Sequence, residues 1–334
     1  MPSGTKKIKN GTSYSKWGYI FLIPFFAVFT VVTLIPLFQT FYYSFFEIYK
    51  DGSGIMIEPK FVGLKNYADL LTLKGYYAKN PFAQVTFWQL PLIKATGNTV
   101  VMWIIGFIPQ IVVSLLFAAW FSDARLRLKG QGFFKTVMYM PNIIMAAAFS
   151  MMIYSFFSRS GPIGSMFVQA GWKAPNGVGE FEVFQNAVYS KLIVSMINFL
   201  MWFGNTTILL LAGMLGIDAT LYEAGQVDGA TPNQMFTKIT LPLLQPILVY
   251  VMITSMIGGL QMFDVPQIIT NGQGNPDNSL MTVIMLLNRN MQAENYGIGG
   301  AISVLLFAVT AVFGIILFRS TVKEDKEKER SKIK

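Results

Sequence analysis

Three residues within one long apolar run carry chemistry that lipid does not need: Asn198, Trp202 and Asn205. Their spacing of four and then three residues puts them on one face of a helix. An amide facing lipid would be left without partners, so this face must meet protein or a water-filled cavity. An asparagine amide both donates and accepts, as a neutral hydroxyl-rich solute requires, and an indole adds a flat apolar surface with one N–H donor. The same groups serve equally as hydrogen-bonding glue between helices. The next apolar run carries Ser255, Gly258, Gly259, Gln261, Met262 and Asp264. Adjacent glycines admit a ligand or a second backbone at close range, and Asp264 suits either a solute hydroxyl or a helix cap. The chain has no histidine and no cysteine. That removes the commonest general base, the usual soft metal ligands and any disulfide. No Gly-x-x-x-x-Gly-Lys-Ser/Thr loop for nucleotide phosphates is present either. Without clustered carboxylates at membrane depth, a membrane enzyme is remote.

The elements that must position these residues are membrane spans. Of the 334 residues 53% are hydrophobic and only 13% charged, against about a quarter charged in a soluble domain. The pattern predicts an all-α integral membrane protein with a six-span domain over 17–318. The spans fall at about 17–46, 95–121, 133–157, 187–217, 241–263 and 296–318, each long enough for the roughly 20 residues that a bilayer core demands. Prolines 24, 36 and 109 and the pair Pro141-Asn142 lie inside spans one to three. A basic tail, 1–16, precedes the domain and a charged tail, 319–334, follows it. No signal peptide with a small-residue cleavage site is evident, so the first span is expected to be retained. The apolar patch Leu280–Leu287 is too short to span and reads as an external helix.

Charge sets the expected orientation. With the N-terminus in the cytoplasm, Lys6, Lys7, Lys9, Lys16, Arg125, Arg127, Lys129, Lys135, Lys238 and the seven basic residues after Phe318 lie inside. The total of +9 then divides as +8 inside and +1 outside, as the positive-inside rule requires. The excess is thus a topology signal in a multi-pass protein of the cell membrane, both termini cytoplasmic. It is not a nucleic-acid footprint, because no nucleic-acid motif accompanies it.

Residues 218–240 form a polar island between spans four and five. They read as two short helices joined by a tight corner. Thr220 is placed to cap the first helix with Glu223 three residues on, Gly229 to turn left-handed at its end, and Thr231 with Pro232 and Gln234 to start the second. Leu221-Tyr-Glu-Ala224, Asp228-Gly-Ala230 and Lys238-Ile-Thr-Leu-Pro242 resemble the EAA loop of permease subunits in binding-protein-dependent ABC importers, in wording close to the maltose-type sugar permeases. Phe61-Val-Gly-Leu-Lys-Asn-Tyr67 and Gly161-Pro-Ile-Gly164 are similar to stretches of the same family.

The resemblance covers about residues 17–318 and implies a type I ABC importer permease core with a cytoplasmic coupling loop. Glu223, Ala224, Asp228, Gly229, Ala230 and Pro242 would belong to the coupling loop, whose first helix docks on an ATPase subunit. It implies no catalysis and no cofactor in this chain, with ATP and Mg used on a partner ABC ATPase dimer. A second, related permease and an external solute-binding protein are the other expected partners. By position, Asn198, Met201, Trp202 and Asn205, with Ser255, Gly258, Gly259 and Met262, match the family's sugar-contacting segments. Residue types there vary within the family, so the identity of the sugar does not carry over. An importer for another polar solute, such as a glycerol phosphate, is the nearest alternative, though no basic cluster is visible in spans four and five. An ion-coupled secondary transporter is remote, because the spans lack the intramembrane charges that coupling needs.

Overall fold

The computed structural model describes residues 15–79, 85–123, 129–172 and 182–332. The expected basic groups Lys6, Lys7, Lys9, Arg125 and Arg127 lie outside these residues. Among the described residues, five helices are long and apolar enough to cross a membrane: Trp17–Ser44, Pro91–Ser122, Ala187–Leu215, Pro232–Ile269 and Tyr296–Ile316. These are spans one, two, four, five and six.

Span three differs from the expected single run over 133–157. It is a pair, Gln131–Ile143 and Ala146–Phe157, bent by 96° where the second arm continues to Gln169. Ile144 and Met145 leave helical geometry at the break. The first arm is held on span four at close range. Asn142 Nδ2 donates to the Met201 carbonyl at 3.1 Å, and a Cβ on Gly204 would run into the Met138 carbonyl.

Two prolines are absorbed by the same device. A turn of π-helix covers Thr30–Leu34 ahead of Pro36, and another covers Phe236–Thr240 ahead of Pro242. A proline lacks the N–H of the helical ladder and crowds the carbonyl four residues back. A widened turn around that carbonyl relieves both problems without breaking the helix. The second helix of the polar island, Pro232–Met235, therefore does not stop at the membrane. It runs through the π turn into Leu241–Leu260 as one continuous rod, where a short helix ending before span five was expected.

Spans two and four form the central pair. Gln110 Nε2 donates to Thr206 Oγ1 at 2.8 Å and Ser114 Oγ to the Phe203 carbonyl at 2.8 Å. Between them and span five lie two apolar clusters, one around Met102, Val194 and Ile197, the other around Ala118, Leu210 and Leu244. The remaining connections gather at one end. A short antiparallel pair joins Phe46–Glu47 to Lys60–Phe61. The buried Asn66 amide clasps the carbonyls of Ser44 and Phe46, and Lys50 pairs with Glu294 at 2.8 Å. Asn98 Nδ2 holds the carbonyls of Asn278 and Met281. The expected short helix after Leu280 is Val283–Gln292, capped by Thr282.

Candidate functional site

A cavity of about 360 Å³ opens between spans two, four and five. Span four is started by Asn186, whose side chain accepts from the N–H groups of Val188 and Tyr189. Its helical repeat carries Asn198, Trp202, Asn205 and Thr206 to the cavity wall. Span five contributes Thr254, Ser255, Gly258, Gly259 and Met262. Seven of the eight expected pathway positions thus share one cavity.

Met201 is the exception. It is half-buried and packs into the apolar cluster of Val194 and Ile197, away from the cavity. It lies at the edge of the shared face, about 100° around the helix from Trp202 and about 140° from Thr206, on the side that meets the apolar cluster. Asp264 also stands apart. It is exposed, in the first turn of the short helix Asp264–Ile269, where its charge favours the helix start.

The cavity sets amides and hydroxyls within a larger apolar wall, and among the described residues no Asp, Glu, Lys or Arg lines it. Asn198 Nδ2 donates to the Val194 carbonyl at 2.9 Å and lies 3.6 Å from Met262 Sδ. Asn198 Oδ1 and both ends of the Asn205 amide meet no partner among the described residues. Gly258 faces open space. Gly259 does not, for the indole of Trp103 fills the room that its missing side chain leaves. The Trp103 Nε1–H donates to Ser255 Oγ at 3.2 Å. With no buried carboxylate or cation, the site is suited to hydrogen-bonding and stacking on a neutral molecule, not to acid–base work.

Span two supplies residues that the sequence reading passed over: Trp103, Phe107 and Gln110. A signal for them was there. Trp103 and Gln110 are seven residues apart, the helical repeat that marks the polar face of span four.

The polar island lies apart from the cavity, beyond the ends of spans four and five. Its first helix, Ala219–Val227, is capped by Asp218 and not by Thr220. The Asp218 carboxylate accepts from the Thr220 N–H at 3.0 Å, and this bond holds its pKa below the usual aspartate value. The helix starts two residues earlier than a Thr220 cap would allow, so Glu223 lies in its second turn, exposed. The corner is as expected. Gly229 has φ +74°, Ala230 N–H bonds to the Gly225 carbonyl, and Gly229 N–H bonds to that of Gln226, the paired closure of a Schellman turn. Thr231 and Gln234 then complete a reciprocal cap on the second helix. Tyr222 Oη and Thr240 Oγ1, 2.9 Å apart, brace the first helix against the π turn. Ala224 and Asp228 are exposed beside Glu223, with Val227 88% exposed, whereas Ala230 is half-buried at the corner. Pro242 sits in the first turn beyond the π segment.

Comparison with known proteins gives this geometry its setting. Residues 99–322 match the family described as binding-protein-dependent transport system inner membrane component. The lactose transport system permease protein LacF of Rhizobium radiobacter is 27% identical over 310 residues, covering 91% of this chain and 94% of that one. The trehalose/maltose transport system permease protein MalF of Thermococcus litoralis is 28% identical over 312 residues, covering 91% and 93%. Among solved structures, a bacterial ABC transporter involved in import of the acidic polysaccharide alginate shares the fold, with a TM-score of 0.70 at 19% identity over 92% of this chain and 96% of that one. The chain belongs to the family of binding-protein-dependent transport system inner membrane components: it is a multi-pass membrane protein and a transport component, not an enzyme.

Proposed function

We propose that this chain forms half of the passage for a neutral sugar or oligosaccharide in an ATP-driven importer, and that the cavity between spans two, four and five is the solute site. The observation that carries the reading is the convergence of Asn198, Trp202, Asn205 and Ser255 on one uncharged cavity. Amides that donate and accept, beside flat aromatic surface, match the alternating hydroxyl and C–H faces of a pyranose. The two relatives above are named for disaccharide transport, which supports the same class. A glycerol phosphate fits less well, because no cation lines the cavity to hold its charge.

In this reading the polar island is the coupling element. Its first helix offers an exposed face of Leu221, Glu223, Ala224 and Val227 to a groove on a cytoplasmic ATPase subunit. ATP and Mg are held by an ATPase dimer, a second related permease completes the passage, and an external binding protein delivers the solute. Both termini lie in the cytoplasm and the spans cross the cell membrane. Closure of the ATPase pair pulls on the island, and because the second island helix is continuous with span five, the pull reaches the wall carrying Ser255 and Gly258 without an intervening loop.

The test is co-purification of the chain with its co-expressed partners, followed by ATPase assays with the binding protein over mono-, di- and oligosaccharides. Stimulation by at least one neutral saccharide is expected. Stimulation by anionic solutes alone would overturn the solute class, and uptake independent of ATP would overturn the importer.

A further inference from the structure

The geometry points to Trp103 as the residue that sets the width of the cavity, and so the size of the neutral solute it admits. Its indole comes from span two and is held in a notch of span five. A Cβ at Gly259 would run into Cδ1 and Cγ of the indole, so only glycine leaves the ring its place. Nε1 is tied to Ser255 Oγ one turn earlier on the same span. Phe107, one turn along span two and also on the cavity wall, stacks against it, 5.4 Å between centroids and 19° between planes. A ring fixed on three sides and lining the cavity on its remaining edge is a wall and not a mobile gate. The adjacent Gly258 meets no atom within 4 Å, so of the two glycines one shapes the open space and the other seats the wall.

Two substitutions should therefore move the width in opposite directions. Trp103→Ala removes the wall. Gly259→Ala expels the indole from its notch in span five, toward the cavity that the ring already lines. In the double variant the notch has nothing to hold, so it should behave as Trp103→Ala alone, a strongly non-additive pair.

Thiol access reads this without knowledge of the solute. The chain has no cysteine, so Asn205→Cys places one thiol on the cavity wall. In the complex purified with its partners, the labelling rate of this chain is measured with 2-aminoethyl methanethiosulfonate and with fluorescein maleimide. Trp103→Ala should raise the bulky-to-small rate ratio by about fivefold or more, the change that ~1 kcal/mol in an access barrier produces, and Gly259→Ala should lower it. The small-reagent rate reports whether the cavity itself survives. Should Trp103→Ala not assemble, Trp103→Phe and Ser255→Ala free the ring partially and should raise the ratio in the same direction. A ratio unchanged in every variant, or raised by Gly259→Ala, overturns the inference. The bearing on solute choice rests on the proposed solute path, whereas the access ratio does not. Graded access with an unaltered preference between lactose and raffinose would uphold the wall and reject the path.

Discussion

Asn205 and Gln110 show how one chemical group, the carboxamide, divides between two tasks. Gln110 reaches the cavity wall but is buried and donates its amide to Thr206, across the interface of spans two and four. Asn142 does the same toward the Met201 carbonyl. These are the interhelical glue that polar residues commonly provide in membranes. Asn205 has the same chemistry but faces the cavity without a partner among the described residues. Removing a cavity-facing amide should cost recognition and leave the fold intact, whereas removing a paired buried one leaves its mate unsatisfied. Asn205→Ala, Asn198→Ala and Trp202→Ala are thus expected to raise the half-saturating solute concentration about fivefold or more, from ~1 kcal/mol per lost contact, at unchanged melting temperature. Gln110→Ala should lower the melting temperature, at a cost of about 1–3 kcal/mol. Solute-stimulated ATPase rates and thermal unfolding of the same preparations separate the two classes. A lower melting temperature for Asn205→Ala, with wild-type kinetics, would move that residue to the glue. The face of span four was legible in the sequence because its polar residues break an apolar run at helical spacing. The role of Gly259 was not, since the occupant of its notch comes from a span more than 150 residues earlier.

At the scale of elements, the corner of the island is the part most fully written in local sequence. A left-handed glycine, a Thr-Pro-x-Gln start and an acidic cap each act through neighbours within a few residues, so no tertiary knowledge is needed to place them. The same locality misled at Thr220, because Asp218, two residues earlier, takes the Thr220 N–H that Glu223 was expected to close on. The bend in span three was not legible. The run from Phe133 to Phe157 carries Lys135, Thr136, Pro141-Asn142, Ser150 and Ser155 but no polar residue at the break itself, which lies beyond Asn142, where the first arm is pinned on span four by Asn142 and Gly204. Gly229→Val should strain the corner, since a β-branched side chain at φ +74° costs about 1–2 kcal/mol. The expected outcome is loss of the ATPase subunits on purification, or hydrolysis without uptake, with solute binding retained. If Gly229→Val and Glu223→Ala both keep the ATPase subunits and full coupled uptake, the island is only a connector. The Asp218 cap adds a pH dependence. Its folded pKa is depressed by the Thr220 N–H, so its contribution is present above the ordinary aspartate pKa and fades as pH falls through the lower folded value. Asp218→Asn, which keeps a capping acceptor without a titrating charge, should remove that acid-side loss from the melting profile while remaining folded at neutral pH.

At the scale of the whole molecule, the two ends differ in construction. One end is knitted together by Lys50–Glu294, the Asn66 clasp and the Asn98 contacts to the 278–281 carbonyls. Lys50 is held above its usual pKa there by its hydrogen bond to Glu294. The other end carries the island, whose first helix keeps a broad face uncovered. A closed end suits a surface that receives a delivered solute, and an uncovered helix suits one that hands force to a partner. The proposed orientation, in which the charge divides as +8 inside against +1 outside, puts the island in the cytoplasm. This assignment is open to a direct test on the cysteine-free chain. Thr231 is the wrong position for a label, because its hydroxyl caps the second island helix. Gln226 is exposed on the first helix and Ser53 is exposed at the closed end, and their side chains carry no bond of the corner. In intact cells an impermeant maleimide should label Ser53→Cys fully and leave Gln226→Cys unmodified until the membrane is permeabilised. The reverse pattern would put the island on the side without ATP. It would then have no ATPase groove to enter, and the continuity of its second helix with span five would have to serve some purpose other than coupling.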